Sequence, residues 1–457
     1  MTSRIIDEKH IQSVLDRTQG PSEKILSKVF KKALDKNGLS LQDAGFLVNS
    51  SGLEAQQRLF RAARQVKNEI YGERLVFFAP LYISDFCVND CKYCNFHLAN
   101  KSLKRKRLAL KEIGQQTRFL INAGHKRVLL ECGEDLKNNN IDYIVKAINK
   151  IYSVRTERGN IRRINVNIAA ATTVNYRRLK NAHIGTYQLF QETYHRQTYQ
   201  ALHCGPKRDY QRQITAPDRA FRAGLDDLGI GVLFGLYDWR FEVLALISHA
   251  QYMEKKFGVG PHTISVPRFR PAETVVYRPA YPVKDKDFLK IIAILRLAVP
   301  YTGLIISTRE SAEIRKIAFS IGISQSSASS VTSVGGYGKK HKQPQFVILD
   351  ERPLGEVIKG VLSDRLLPSF CTACYRSGRT GEDFMKFSKP GEIHNFCRPN
   401  GLLTFAEYLE DFGKNGIYKK GYGVINHYLN KIDNLQLRKK TQERLAEIKK
   451  GARDLYF

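Results

Sequence analysis

The feature that most limits how this chain can fold is a series of short apolar runs that alternate with helix-patterned stretches. A continuous hydrophobic run of a few residues suits a strand buried on both faces, as in a parallel sheet covered by helices. Seven such runs lie at 75–83 (LVFFAPLYI), 128–132, 164–169, 186–190, 230–234, 263–266 and 304–307, and 318–323 (AFSIGI) makes an eighth. Between them, segments such as 107–124 (RLALKEIGQQTRFLINAG) carry the 3.6-residue period of a helix. Eight strand–helix units predict an α/β fold of the (β/α)8 TIM type, whose sites lie at the carboxyl ends of the strands. A six-stranded partial barrel is the alternative. Helical patterns over 5–72 predict an N-terminal helical cap, 73–342 forms the barrel, and 343–457 reads as a mostly helical C-terminal extension.

Directly after the first apolar run comes FCVNDCKYCNFH, with Cys87, Cys91 and Cys94 in a C-x3-C-x2-C spacing. Zinc asks for four closed ligands, usually from paired C-x2-C groups, whereas three close thiolates hold a [4Fe-4S] cube by three irons and leave the fourth open. An open iron can chelate the amino and carboxylate groups of S-adenosylmethionine. This spacing, with an aromatic (Tyr93) before the last cysteine, resembles the signature of radical SAM enzymes.

A second group, Cys371, Cys374 and Cys397, follows a C-x2-C-x22-C spacing in the C-terminal region. It again stops one ligand short of a closed site. His394 would complete a Cys3His zinc centre, and the other reading is a second iron–sulfur cluster with one iron free for substrate-derived ligands. Six of the eight cysteines fall in these two groups, which suits metal ligation in a reducing compartment better than a disulfide framework. Cys204 is a lone thiol.

The net charge of +30 is the compositional outlier, and 101–107 (KSLKRKR), 339–342 (KKHK) and 438–440 (RKK) are its densest runs. Such charge favours phosphate contact. Its even spread and the lack of a recognisable RNA-binding module favour a solvated basic surface, so nucleic acid is not expected as a partner. No apolar stretch is long enough for a membrane span and the first residues lack a leader pattern, which predicts a cytoplasmic protein.

Together, CVNDCKYC, FQETYH, GPHTISVPRFRP, STRES, CTACYRSGRTGEDFM and HNFC closely resemble the radical SAM tyrosine lyases that mature [FeFe]-hydrogenases, relatives of the 2-iminoacetate synthase of thiamine biosynthesis. The resemblance runs from about residue 70 to 457, and the C-terminal cysteine motif separates the maturases from the thiamine enzymes. It implies a cluster on Cys87, Cys91 and Cys94 that reduces bound S-adenosylmethionine, and a deoxyadenosyl radical that takes hydrogen from the amino group of L-tyrosine. Cα–Cβ cleavage then yields p-cresol and dehydroglycine. A second cluster on Cys371, Cys374 and Cys397, with an additional iron and a free cysteine, would convert dehydroglycine to CO and cyanide on an iron synthon. The implied partners are a reductant such as ferredoxin or flavodoxin and the hydrogenase maturation scaffold protein.

Site residues follow from matching motifs and from strand ends. Gly133, Glu134 and Asp135 resemble the radical SAM Gly-Gly-Glu element, with Cys132 at its first glycine; Glu134 would accept from the methionyl ammonium, though both acids also suit a helix N-terminus. Asn167, Glu192 and Arg212 are candidate ribose and carboxylate contacts, and Tyr93 would pack against adenine or the cluster. Arg309 is the candidate clamp for the tyrosine carboxylate, because a guanidinium binds carboxylate bidentately; a loop ion pair with Glu310 or Glu313 is its alternative. In the family the histidine matching His262 helps hold the extra iron. His262 precedes a strand, so it belongs to the barrel's N-terminal mouth, and the C-terminal extension should close that mouth. At Ser329 the family pattern leads one to expect glycine.

Three functions compete: the tyrosine lyase and maturase, with or without the CO-forming step; a radical SAM enzyme acting on RNA; and a nucleic-acid-binding protein with structural metal sites.

Overall fold

A computed structural model describes residues 5–339, 343–414 and 416–457. Eight parallel strands close into a barrel: β1 (Arg74–Ser84), β2 (Arg127–Cys132), β3 (Arg163–Asn167), β4 (Tyr187–Glu192), β5 (Leu228–Val232), β6 (Thr263–Ser265), β7 (Gly303–Ile306) and β8 (Gln325–Ser327). They run in chain order around the ring, and β1 closes it by pairing with both β8 and β2. β1 is buried along its whole length, as its unbroken apolar run requires. Helices follow the strands on the outside, several started by a side-chain cap: Ser22, Asn140 and Ser311 each accept the N–H three residues on.

Two departures from expectation concern the barrel's last units. Residues 318–321 belong to the helix Ala312–Ile321, whose buried face carries Ala318 and Ile321 at helical spacing, and the eighth strand is the polar Gln325–Ser327. Its side chains are buried nonetheless, because each finds a polar partner: Arg127 donates to Gln325 at 3.3 Å and Arg315 to Ser326 at 2.9 Å. The strand–helix alternation also continues past residue 343. Helix Leu354–Ser363 leads to β9 (Leu367–Ser369), an edge strand that tolerates Pro368 and pairs with the first three residues of β1.

The four N-terminal helices, Glu8–Arg17, Glu23–Leu34, Leu41–Asn49 and Leu53–Tyr71, lie against the outer helices Trp239–Phe257 and Asp285–Ala298. The C-terminal region is mostly helical. Inside the barrel, side chains fill layers. Arg127, Leu129 and Glu131 of β2 face inward at three heights, and Leu129 joins Phe78 and Ile305 in an apolar middle layer. Below it lies a polar layer, with Arg127 on Gln325 and Gln188 on Thr263.

Candidate functional site

Two cavities occupy the two ends of the barrel and share no lining residue. The upper one, about 200 Å³, is lined by Cys87, Cys91 and Cys94, which stand on the loop that leaves β1 at its carboxyl end. Arg105 fastens that loop by donating to the carbonyls of Asp85, Phe96 and His97 at 2.6–2.8 Å. Much of the basic run 101–107 is therefore structural: Lys106 pairs with Glu112 and Arg107 stacks on Tyr143. Residues 340–342 of the run KKHK lie outside the described residues. Gly133 lets the end of β2 pass the loop, since a Cβ there would come within 2.4 Å of the Phe86 carbonyl oxygen.

Amide N–H groups approach the thiols: Asn89 donates to Cys87 Sγ at 3.8 Å and Gln345 to Cys94 Sγ at 3.6 Å. Gln345 and Phe346 come from the segment after the barrel, so that segment returns to complete the upper wall. Glu134 accepts from Asn89 at 2.7 Å and from Arg212 at 2.5 Å. Glu192 ends β4 in the left-handed region, φ 69°, a backbone strain of the kind found at functional sites, and it pairs with Lys207 at 2.8 Å. Asn167 lines the wall at the end of β3, while Tyr93 is tied through its hydroxyl to His203 Nε2 at 2.7 Å.

Arg309 lines the same cavity and among the described residues forms no ion pair. The alternative of a loop pair with its neighbours does not hold, because Glu310 is taken by Arg268 and Arg270 and Arg309 instead stacks on Phe346. Its charge faces the cavity beside Tyr82, Glu131 and Glu192. Ser329 has φ 50°, the left-handed conformation for which glycine is the easy residue.

The lower cavity, about 40 Å³, brings together Cys371, Cys374, Cys397 and His262. β9 delivers Cys371 and Cys374 beneath the start of β2, where Arg127 donates to the Cys371 carbonyl at 3.3 Å. Cys397 stands in the first turn of helix His394–Phe412 and receives Arg74 Nη2 at 3.1 Å. His394 is not part of this lining; its Nδ1 meets the Gly391 carbonyl at 2.6 Å. Burial lowers the His262 pKa and keeps the imidazole neutral, the form that ligates iron. Asp227 stands 3.6 Å behind it, and both carboxylate oxygens and His262 Nδ1 are buried without a hydrogen-bond partner.

Family comparison matches residues 81–246 to the radical SAM superfamily and residues 265–364 to the biotin and thiamin synthesis associated domain. The 2-iminoacetate synthase of Salmonella typhimurium is 30% identical over 341 residues, 74% of this chain and 88% of that protein. A crystal structure of HydG, a maturase of the [FeFe]-hydrogenase, superposes with a TM-score of 0.97 at 48% identity, covering 99% of this chain and 100% of the other. The chain belongs to the radical SAM family of the HydG maturases and 2-iminoacetate synthases. HydG from Carboxydothermus hydrogenoformans is similar as well, with a TM-score of 0.85 at 40% identity over 96% and 97% of the two chains.

A radical SAM enzyme needs a [4Fe-4S] cluster and S-adenosylmethionine, and the upper residues fit them. All eight cysteines are free thiols, and among the described residues no three His, Cys, Asp or Glu side chains meet closely enough for a single ion. A cube, whose corners are separate irons, asks for thiols held apart. Burial pushes the Cys94 thiol up to about 11 and raises that of Cys374 as well, a cost of ionisation that a positively charged cluster bound at either end would offset. Sequence reasoning missed Asn89, Arg105, Glu131 and Lys207. Asn89 lies inside the cysteine motif and Lys207 stands 15 residues after Glu192, beyond the helix Arg196–Leu202, but neither residue type advertises its role.

Proposed function

We propose that this protein cleaves the Cα–Cβ bond of L-tyrosine to p-cresol and dehydroglycine at the upper mouth, and converts dehydroglycine to CO and cyanide at the lower one for [FeFe]-hydrogenase H-cluster maturation. The observation that carries this reading is the placement of two cysteine triads at opposite ends of one barrel.

When bound, a [4Fe-4S] cluster on Cys87, Cys91 and Cys94 would supply the electron that splits S-adenosylmethionine. Glu134, bridged to Asn89 and Arg212, is positioned to accept from the methionyl ammonium. Asn167, Glu192 and Tyr93 line the space beside it for the ribose and adenine. Arg309, whose charge is uncommitted, takes the tyrosine carboxylate. The dehydroglycine fragment passes the Phe78, Leu129 and Ile305 layer to reach the lower site. There Cys371, Cys374 and Cys397 would hold a second [4Fe-4S] cluster, and His262, with Asp227 3.6 Å behind it, the additional iron with its free cysteine. Arg74 offsets the negative charge that thiolates bring to this buried site.

The electron comes from a ferredoxin or flavodoxin, and the iron synthon goes to the maturation scaffold protein. The units are 1–72, 73–342 and 343–457, with the first residues of the last unit serving the upper site. No helix among the described residues is long and apolar enough to cross a membrane, and eight free thiols suit the reducing cytoplasm. The test is anaerobic reconstitution followed by incubation with S-adenosylmethionine, reductant and L-tyrosine. Formation of p-cresol and 5'-deoxyadenosine is expected, and their absence overturns the lyase assignment. A 2-iminoacetate synthase type of reaction would give both products without CO.

A further inference from the structure

Glu131 has no part in the roles above, yet it stands in the middle of the upper cavity's wall. It is the last inward-facing residue of β2, before the strand gives way to Gly133 and Glu134. In register, Tyr82 of β1 lies opposite it on one side and Asn167 of β3 on the other, and all three line the cavity. Among the described residues Glu131 forms no ion pair, and the Tyr82 hydroxyl beside it donates to Gln345 Oε1 at 2.8 Å. Arg309, also without an ion-pair partner, faces the same cavity from beyond β7, three strands round the barrel. Between them the floor is apolar, made of Phe78, Leu129 and Ile305. One anion, one cation and an apolar floor are the complement of a zwitterionic amino acid with an apolar side chain.

We propose that Glu131 receives the α-amino group of the substrate, so that Glu131 and Arg309 together read the zwitterion and the enzyme requires a free α-amino acid. Which amino acid enters rests on the tyrosine-lyase reading; the two-charge pattern does not. Burial pushes the Glu131 carboxyl up to about 7, desolvation acting first and Tyr82 and Arg309 opposing it. An ammonium group set against it would restore its charge. On the lyase reading, the nitrogen held by Glu131 is also the atom that gives up hydrogen, so the carboxylate fixes which N–H faces the radical.

The test measures binding to the reconstituted, S-adenosylmethionine-loaded protein by calorimetry, with three probes: L-tyrosine, 3-(4-hydroxyphenyl)propanoate, which lacks the amino group, and tyramine, which lacks the carboxylate. The unaltered protein should prefer L-tyrosine over both, about tenfold or more, the worth of a hydrogen bond to a charged group. Glu131→Gln should lose the preference over the propanoate and keep the preference over tyramine; Arg309→Gln should do the reverse. Glu131→Asp, which keeps the charge, should recover part of the lost preference. A Glu131→Gln protein that keeps both preferences, or loses both alike as a misfolded wall would, overturns the inference. Preference for L-tyrosine without p-cresol formation would overturn the lyase reading and leave the zwitterion site standing.

Discussion

The two ends of the barrel each hold a cysteine triad in contrasting surroundings, and Cys132 adds a fourth thiol to the upper wall. At the upper mouth the sulfurs of Cys87 and Cys94 are approached by the neutral side-chain amides of Asn89 and Gln345, and they face a cavity of about 200 Å³ walled by polar groups on five loops. At the lower mouth Cys397 meets the guanidinium of Arg74 in a space of about 40 Å³, closed by β9 and the C-terminal helices. The upper end has room for a larger ligand. The lower end is smaller, and its buried Arg74 guanidinium beside Cys397 is a cation that would offset thiolate charge on the proposed two-cluster reading. The apolar layer of Phe78, Leu129 and Ile305 lies between the two cavities, an arrangement that would keep the two proposed reactions apart.

The contrast can be sharpened by substitution at each end. The largest effect is expected at the upper wall: Arg309→Leu removes the uncommitted guanidinium and should lower kcat/KM for L-tyrosine about 100-fold, whereas Arg309→Lys, which keeps charge and loses the fork, should cost about 10-fold. Product assays across a tyrosine titration check this, and an unchanged KM would remove Arg309 from the substrate site. At the lower wall, on the two-site proposal, Asp227→Asn should weaken retention of the additional iron by about 10-fold, because Asp227, 3.6 Å from His262 Nδ1, is the carboxylate placed to support that imidazole. Iron analysis after dialysis against a mild chelator reads that loss, and p-cresol formation should persist. The smallest effect belongs to the upper rim, where Ser329→Gly relieves a left-handed serine and should stabilise the fold by about 0.5 kcal/mol in denaturant unfolding. A destabilised variant would mean that the hydroxyl outweighs the strain.

Seven strands were legible because a strand covered on both faces needs continuous hydrophobic residues, and LVFFAPLYI has no other comfortable place. The eighth was not, because Gln325 and Ser326 are buried through hydrogen bonds to Arg127 and Arg315, partners that the local sequence does not reveal. β9 was hidden by its length of three residues and by Pro368. At the site, the cysteine spacings announced both triads, and position alone sent His262 to the lower mouth, where it is found. Glu131 went unnoticed inside VLLEC, since one charge at the end of an apolar run reads as a strand terminus. Its meaning came from register, with Tyr82 and Asn167 beside it. The dense run 101–107 read as a solvated basic surface, and the structure adds that its Arg105 clasps the cysteine loop, a role that charge density does not reveal.

The most direct test of two stations in series is the ratio of CO to p-cresol from a Cys374→Ala, Cys397→Ala double variant, reconstituted anaerobically and supplied with S-adenosylmethionine, reductant and L-tyrosine. Opposite mouths predict that p-cresol continues and CO vanishes. Loss of both products together, or CO still formed in proportion to p-cresol, would contradict a division of labour between the two ends of the barrel.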